Sequence, residues 1–203
     1  DFETDSDQYF DISDASQTGL DLTDDFTLNA WVNLEDLQFP ADLYGIISKY
    51  NTATNKQYLF RLFEDNATPE TDMHISTYTG TTDYNVPIGY GTDFADQWYM
   101  VTWVKSGDTV TAYVDGTAKG SGTAGDAQNS TTPFAIGHQN QAASDGMMDG
   151  YIDEVGVWNR ALNSSEISSL YNSGSGKTYS DIFTSTTDWS LPSNRYFSGY
   201  VAS

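Results

Sequence analysis

The chain has 203 residues, 38% apolar and 14% aromatic, which is enough to bury the core of one sizeable domain or two small ones. Its 29 acidic residues stand against 8 basic ones; a formal net charge of -21 leaves no basic footprint for nucleic acid and repels an anionic membrane surface. Without cysteine there is neither disulfide nor thiolate chemistry, and no apolar run reaches the roughly 18 residues a membrane helix needs, so membrane insertion is not expected. What so acidic a surface attracts is a hard cation, calcium first, and the same charge also serves solubility in a saline medium.

In chain order, the sequence is strand-like from Asp1, and a strand is expected over Gln8–Ser13. The clearest alternation follows in Phe26-Thr27-Leu28-Asn29-Ala30-Trp31-Val32-Asn33-Leu34, where every even position is apolar, as in a strand with one face on a core. Tyr44–Lys49, Gln57–Phe63 and Met73–Tyr78 give three more strands, with Tyr84–Phe94 read as a loop segment. In Gln97–Lys105 the residues Trp98, Met100 and Val104 share one parity, read as the core face; in Thr109–Val114, Val110, Ala112 and Val114 do. Trp31 and Trp103 fall on the other parity. The turns Ser106-Gly107-Asp108 and Asp115-Gly116 bound that hairpin. Pro133–His138 and Gly150–Trp158 complete the strands, and His138–Asp145 reads as a second loop segment. Short strands at near-regular spacing with no helix between them predict an all-β, two-sheet antiparallel sandwich.

One short helix is expected near residues 164–172. Asn163 caps it, Glu166 reaches back as in a capping box, Ile167, Leu170 and Tyr171 share a face, and Gly174 ends it, so that the helix lids one end of the sandwich. Residues 178–203 change in texture, with Tyr179, Phe183, Trp189, Tyr196, Phe197 and Tyr200 among Ser and Thr. This division predicts a domain over 1–177 and an aromatic C-terminal arm over 178–203, which is either a final strand or a segment that docks elsewhere.

Five segments in order carry a family resemblance: Phe26–Val32, Gly45–Lys49, Trp98–Trp103, Ala112–Gly116, and Asp149–Val155 continuing through Trp158-Asn159-Arg160-Ala161-Leu162 to Glu166-Ile167. Together they resemble the laminin G-like jelly-roll family, which belongs with the concanavalin A-like lectins and glucanases. The resemblance implies a jelly roll of two antiparallel sheets, usually secreted or at the cell surface, often holding a structural calcium between the N-terminal and closing strands. It also implies a glycan or an extracellular or cell-surface protein as partner, and by family position it packs Trp31 and Trp103 under loops. Fold alone does not decide function.

Asp153 is the most informative carboxylate. On a regular strand it shares a face with Val155 and Val157, where an acid is costly without a cation or several donors; alternatively, a bulge turns Asp153 and Glu154 aside while Ile152 and Val155 face inward. The functional reading makes Asp153 a calcium ligand, joined by Glu3 of the first strand. The structural alternative pairs it with Lys49, Arg160 or turn amides. For a glycan, Tyr84, Tyr90, Asn140, Gln141 and Asp145 supply aromatic and polar groups in the two loop segments. Catalysis is not expected. The Glu-x-Asp-x-x-Glu arrangement of glucanase relatives is missing, and His74 and His138 sit in strand-like segments without a nucleophile elbow. The sequence therefore points to a calcium-stabilised recognition or adhesion module. A self-assembling surface or filament subunit, a homo-oligomer built through residues 178–203, is the alternative, and a glycoside hydrolase the least favoured.

Overall fold

The computed structural model describes residues 2, 8–35, 43–51, 56–65, 72–79, 82–89, 94–123, 125–139, 146–177 and 194–197. In chain order these form β1 (Phe10–Ile12), β2 (Phe26–Leu34), β3 (Leu43–Tyr50), β4 (Lys56–Asp65), β5 (Asp72–Thr79), β6 (Thr82–Gly89), β7 (Tyr99–Ser106), β8 (Thr109–Val114), β9 (Thr117–Thr123), β10 (Phe134–Ile136), β11 (Gly150–Trp158), α1 (Ser164–Tyr171) and β12 (Asn194–Phe197). Two six-stranded sheets result, in the orders β1-β10-β3-β4-β5-β6 and β12-β11-β2-β7-β8-β9, with every strand pair antiparallel. The fold is the expected jelly-roll sandwich.

The alternation in β2 explains the packing. Phe26, Leu28, Ala30, Val32 and Leu34 face the first sheet and are buried with Val101, Trp103, Val110, Ala112, Val155 and Val157 of the same sheet. From the opposite sheet Ile47, Tyr58, Phe60, Leu62, Met73, Ile75 and Val86 meet them. Trp103, expected under a loop, lies in this core against Phe26 and Phe60. Met100 and Val104, expected in the core, instead belong to a second cluster on the outside of the sheet, with Trp158, Leu162, Ile167 and Leu170. β7 is buried on both faces, so parity alone could not tell which face meets the other sheet.

The outer cluster exists because α1 packs flat on the second sheet rather than lidding an end of the sandwich. Its start is fixed as the sequence predicts: the Asn163 side chain accepts the N–H groups of Ser165 and Glu166, and Glu166 accepts the N–H of Asn163 at 2.9 Å. Arg160 grips the same Glu166 carboxylate bidentately at 2.7 and 2.9 Å. Thr27 ties the approach to the sheet, donating to the Arg160 carbonyl at 3.0 Å and accepting from Leu162 N at 2.9 Å. Burying Ile167 and Leu170 contributes about 2 kcal/mol each. Asn172 ends the helix in the left-handed region, φ 49°.

Two strands escaped the sequence reading. β6 overlaps the segment Tyr84–Phe94 read as a loop; it does alternate, with Val86 and Ile88 inward, and Pro87 is tolerated because β6 is an edge strand, where a missing N–H costs nothing. β9 carries no apolar pattern. Its Gly120 and Gly122 admit β6 side chains where the two sheet edges meet: a Cβ on Gly120 would lie 2.9 Å from Val86, and one on Gly122 2.0 Å from the Tyr84 ring. At the other side β12 lies along β11, with Phe197 opposite Val155 and Asn194 opposite Trp158.

A buried ion pair pins the crossing between β1 and β2. Lys49 is fully buried, and its ammonium donates to Asp14 at 2.6 Å and to Asp21. Hydrogen bonds from Lys49 and then Gln17 hold the Asp14 carboxyl below its usual value. A carboxyl depressed by folding stabilises above its unfolded pKa, and that stability is lost as pH falls through the folded value. Replacing both partners, Asp14→Asn with Asp21→Asn, should lower the urea midpoint at neutral pH by leaving the Lys49 charge buried. Lys49→Met should cost less, and its stability should fall less than the parent's below roughly pH 4.

Candidate functional site

The outer face of the second sheet is covered by α1 over only part of its area. Register places its side chains in rows across the strands: Trp158 beside Thr27, Gly156 beside Asn29, Asp153 beside Trp31 and Tyr151 beside Asn33. Helix α1 and its approach cover the first of these rows and part of the second. Beyond the helix, Trp31, Trp98, Asp153 and Glu154 line an open groove of about 260 Å³, walled on the far side by Gly174, Ser175, Gly176 and Lys177.

A β-bulge aims the two carboxylates. Pairing with β2 shifts register between Asp153 and Gly156, and Glu154 takes φ 50°. Val155 is thereby buried in the core and Ile152 packs against it, while Asp153 is exposed on the opposite side. The bulged form of the two sequence alternatives is thus the one adopted. One Asp153 oxygen accepts the Glu154 N–H at 2.7 Å. Behind the bulge Asn29 reaches the Glu154 carbonyl at 3.5 Å, and Thr102 fixes Asn29 by donating to its oxygen at 2.6 Å. Both are buried beneath the helix approach, which makes the polar pair part of the scaffold.

The aromatic side of the groove is equally well placed. Trp31 stacks on Tyr171 of α1, with ring centroids 5.8 Å apart and planes within 18°. Gly176, at φ 63°, abuts the indole edge, where a Cβ would lie 3.2 Å from Nε1. Trp98, just before β7, is 45% exposed and 6.2 Å from the ring of Tyr151, which is 36% exposed.

The expected site residues are scattered by comparison. Tyr84 lies on β6, its ring over Gly122 and its hydroxyl donating to the Ser121 carbonyl. Tyr90, Asn140, Gln141, Asp145 and Glu3 lie outside the described residues. Phe2 pairs with Gly150, which brings the N-terminal segment beside the start of β11, with Asp153 three residues further along. Among the described residues no group of three acidic or histidine side chains converges as a metal site. His74 stacks on Phe63, and His138 is buried beside Tyr9. A second, more polar hollow of about 500 Å³ holds Asp24, Asp25, Asp108 and Asp126 with Lys105 and Arg160, and no aromatic ring lines it.

The sequence reading missed Trp31 and Trp98 as site residues. It assigned Trp98 to the core through the parity it shares with Met100, and that parity faces outward.

A family model described as the concanavalin A-like lectin/glucanases superfamily matches residues 4–168. No curated protein sequence matches the chain. Among solved structures, the chain resembles a heptameric SAP-like pentraxin from Limulus polyphemus with TM-score 0.58 and 17% identity, covering 73% of this chain and 70% of that one. Domain 4 of an extracellular arabinanase from Geobacillus stearothermophilus, solved with arabinotriose, aligns with TM-score 0.54 and 21% identity over 75% of this chain and 69% of that one. A putative carbohydrate binding protein from Bacteroides ovatus aligns with TM-score 0.58 and 19% identity over 82% of this chain and 44% of that one.

The groove depends on its glycine wall. Gly176→Ala forces a side chain into the left-handed region and against Trp31; it should cost about 1–2 kcal/mol in thermal unfolding and change the fluorescence of the folded state.

Proposed function

Because the chain belongs to the concanavalin A-like lectin/glucanase superfamily, we infer that it is a non-catalytic recognition module whose outer-face groove binds a saccharide. One observation carries this reading: two tryptophans and two carboxylates line the same open groove. Sugars present an apolar ring face together with hydroxyl donors. An exposed indole matches the first, and carboxylates accept charge-assisted hydrogen bonds from the second. That similar folds were solved with arabinotriose bound, or are described as carbohydrate binding, supports the choice of ligand. The described strands favour recognition over assembly, since β12 occupies the β11 edge within its own chain.

Binding fits this groove better than hydrolysis. A glycosidase sets two carboxyl groups on either side of the scissile bond. Asp153 and Glu154 are adjacent residues of one bulge, and the wall facing them is Gly174, Ser175, Gly176 and Lys177. The reading places the module outside the cell, where polysaccharides and surface glycans are met.

Calcium is a finer part of the proposal. Among the described residues no three acidic or histidine side chains converge, so the six to eight oxygens that calcium takes would come in part from beyond them. A stabilising ion held by Glu3 together with Asp153 would raise the unfolding temperature by mass action. Chelation is expected to lower Tm and added calcium to restore it; an unchanged Tm in chelator removes calcium from the account.

The groove itself is tested by affinity electrophoresis on a panel of plant and microbial polysaccharides. The chain should be retarded by at least one of them, and Trp98→Ala should lose about tenfold or more in affinity with an unchanged circular dichroism spectrum. A Trp98→Ala variant that binds as tightly as the parent would show that the groove is not the site.

A further inference from the structure

Resting on the saccharide reading of the groove, we propose that its ligand is an internal stretch of an uncharged polysaccharide, with one sugar against Trp31 and the next across the Trp98–Tyr151 pair. The surface continues beyond the groove in a specific way. Tyr151 stands opposite Asn33, and Trp98 immediately precedes Tyr99, which pairs with Val32. Tyr151, Asn33 and Trp98 therefore form one row across three strands, and Asp153, Trp31 and Met100 form the next. The rows lie two residues, roughly 7 Å, apart along the strands. That offset suits consecutive rings of a chain better than one isolated ring.

The exposure of these rings is also unusual for this sheet. Five large apolar side chains are exposed among the described residues: Trp98 and Tyr151 here, and Tyr9, Phe10 and Ile12 at or beside β1 of the opposite sheet. Trp31 in the groove, and Tyr151 beside the groove's second indole, Trp98, thus offer two aromatic stations, with Asn33 between Tyr151 and Trp98 as a hydrogen-bonding amide. An open groove leading to a second station accommodates a chain passing through and gives a terminal sugar no closed cup.

Charge selects the class of chain. The groove brings two carboxylates against the single ammonium of Lys177, on a protein of net charge -21. Uronate, sialyl or sulfate groups would meet repulsion both locally and at long range, whereas neutral hydroxyls donate to the carboxylates without that penalty.

The test is isothermal titration calorimetry with arabino-oligosaccharides and gluco-oligosaccharides of increasing length, and with polygalacturonate and alginate as acidic polymers, using the whole chain and its Tyr151→Ala variant. Affinity for a neutral series is expected to rise about tenfold or more between the single sugar and the trimer. Tyr151→Ala should abolish that rise while leaving single-sugar binding and the circular dichroism spectrum unchanged, and the acidic polymers should not bind. Neutral affinity independent of length, a length effect that survives Tyr151→Ala, or acidic polymers bound as tightly as neutral ones would each overturn this proposal and leave the groove reading standing. Failure of the unaltered chain to bind any of these saccharides overturns both.

Discussion

Burial of β2 on both of its faces is the constraint on which the remaining structure depends. One face carries Phe26, Leu28, Ala30, Val32 and Leu34 into the sandwich. The other presents Thr27, Asn29, Trp31 and Asn33 to the outside, and a β-sandwich strand would ordinarily give that face to water. Here Thr27 and Asn29 are covered, because the segment after β11 returns over the sheet and lays α1 on Met100, Val104 and Trp158. The buried hydroxyl and amide then need partners, and they find them in the Arg160 carbonyl, Leu162 N–H and Thr102 hydroxyl. The helix is short, so cover stops near Trp31, and the groove begins where it stops.

The groove is thus a by-product of partial cover. Trp31 belongs to both regions, one side stacked on Tyr171 of the helix and the indole edge exposed to the groove. The β11 bulge does the same for charge. A regular strand would send Asp153 and Val155 to the same face, whereas one inserted residue with positive φ separates them. Val155 stays in the core, Asp153 is exposed, and Glu154 lines the groove beside the indoles with one carboxylate oxygen buried. An Asp153 carboxylate carried into the core would need full compensation, and the bulge removes that need.

Much of this was legible in the sequence, for physical reasons that can be named. The alternation of β2, the Asp115-Gly116 turn, whose residues take φ 50° and 74°, and the Asn163–Glu166 capping box each follow from local rules, and each is present. The oddity of an acid among inward valines at Asp153 also flagged the bulge. What was not legible depended on partners distant in sequence. β9 is Gly-rich because Tyr84 and Val86 of the facing edge press on it, and Met100 looks like core because a helix some 65 residues later covers it. Trp98 shares the parity of Met100, and only the length of α1 decides that one is buried and the other exposed. Glu3 of the calcium expectation and four of the five expected ligand residues fall on segments outside the described residues, so the groove follows from packing rather than from motif.

Nuclear magnetic resonance of the indole N–H groups during titration with a bound neutral oligosaccharide tests the central claim most directly. Trp31 and Trp98 line the groove, whereas Trp103 and Trp158 are buried in separate clusters. Saturation should move the Trp31 and Trp98 resonances and leave those of Trp103 and Trp158 in place. A ligand that saturates the protein while both groove indoles stay still would contradict the account.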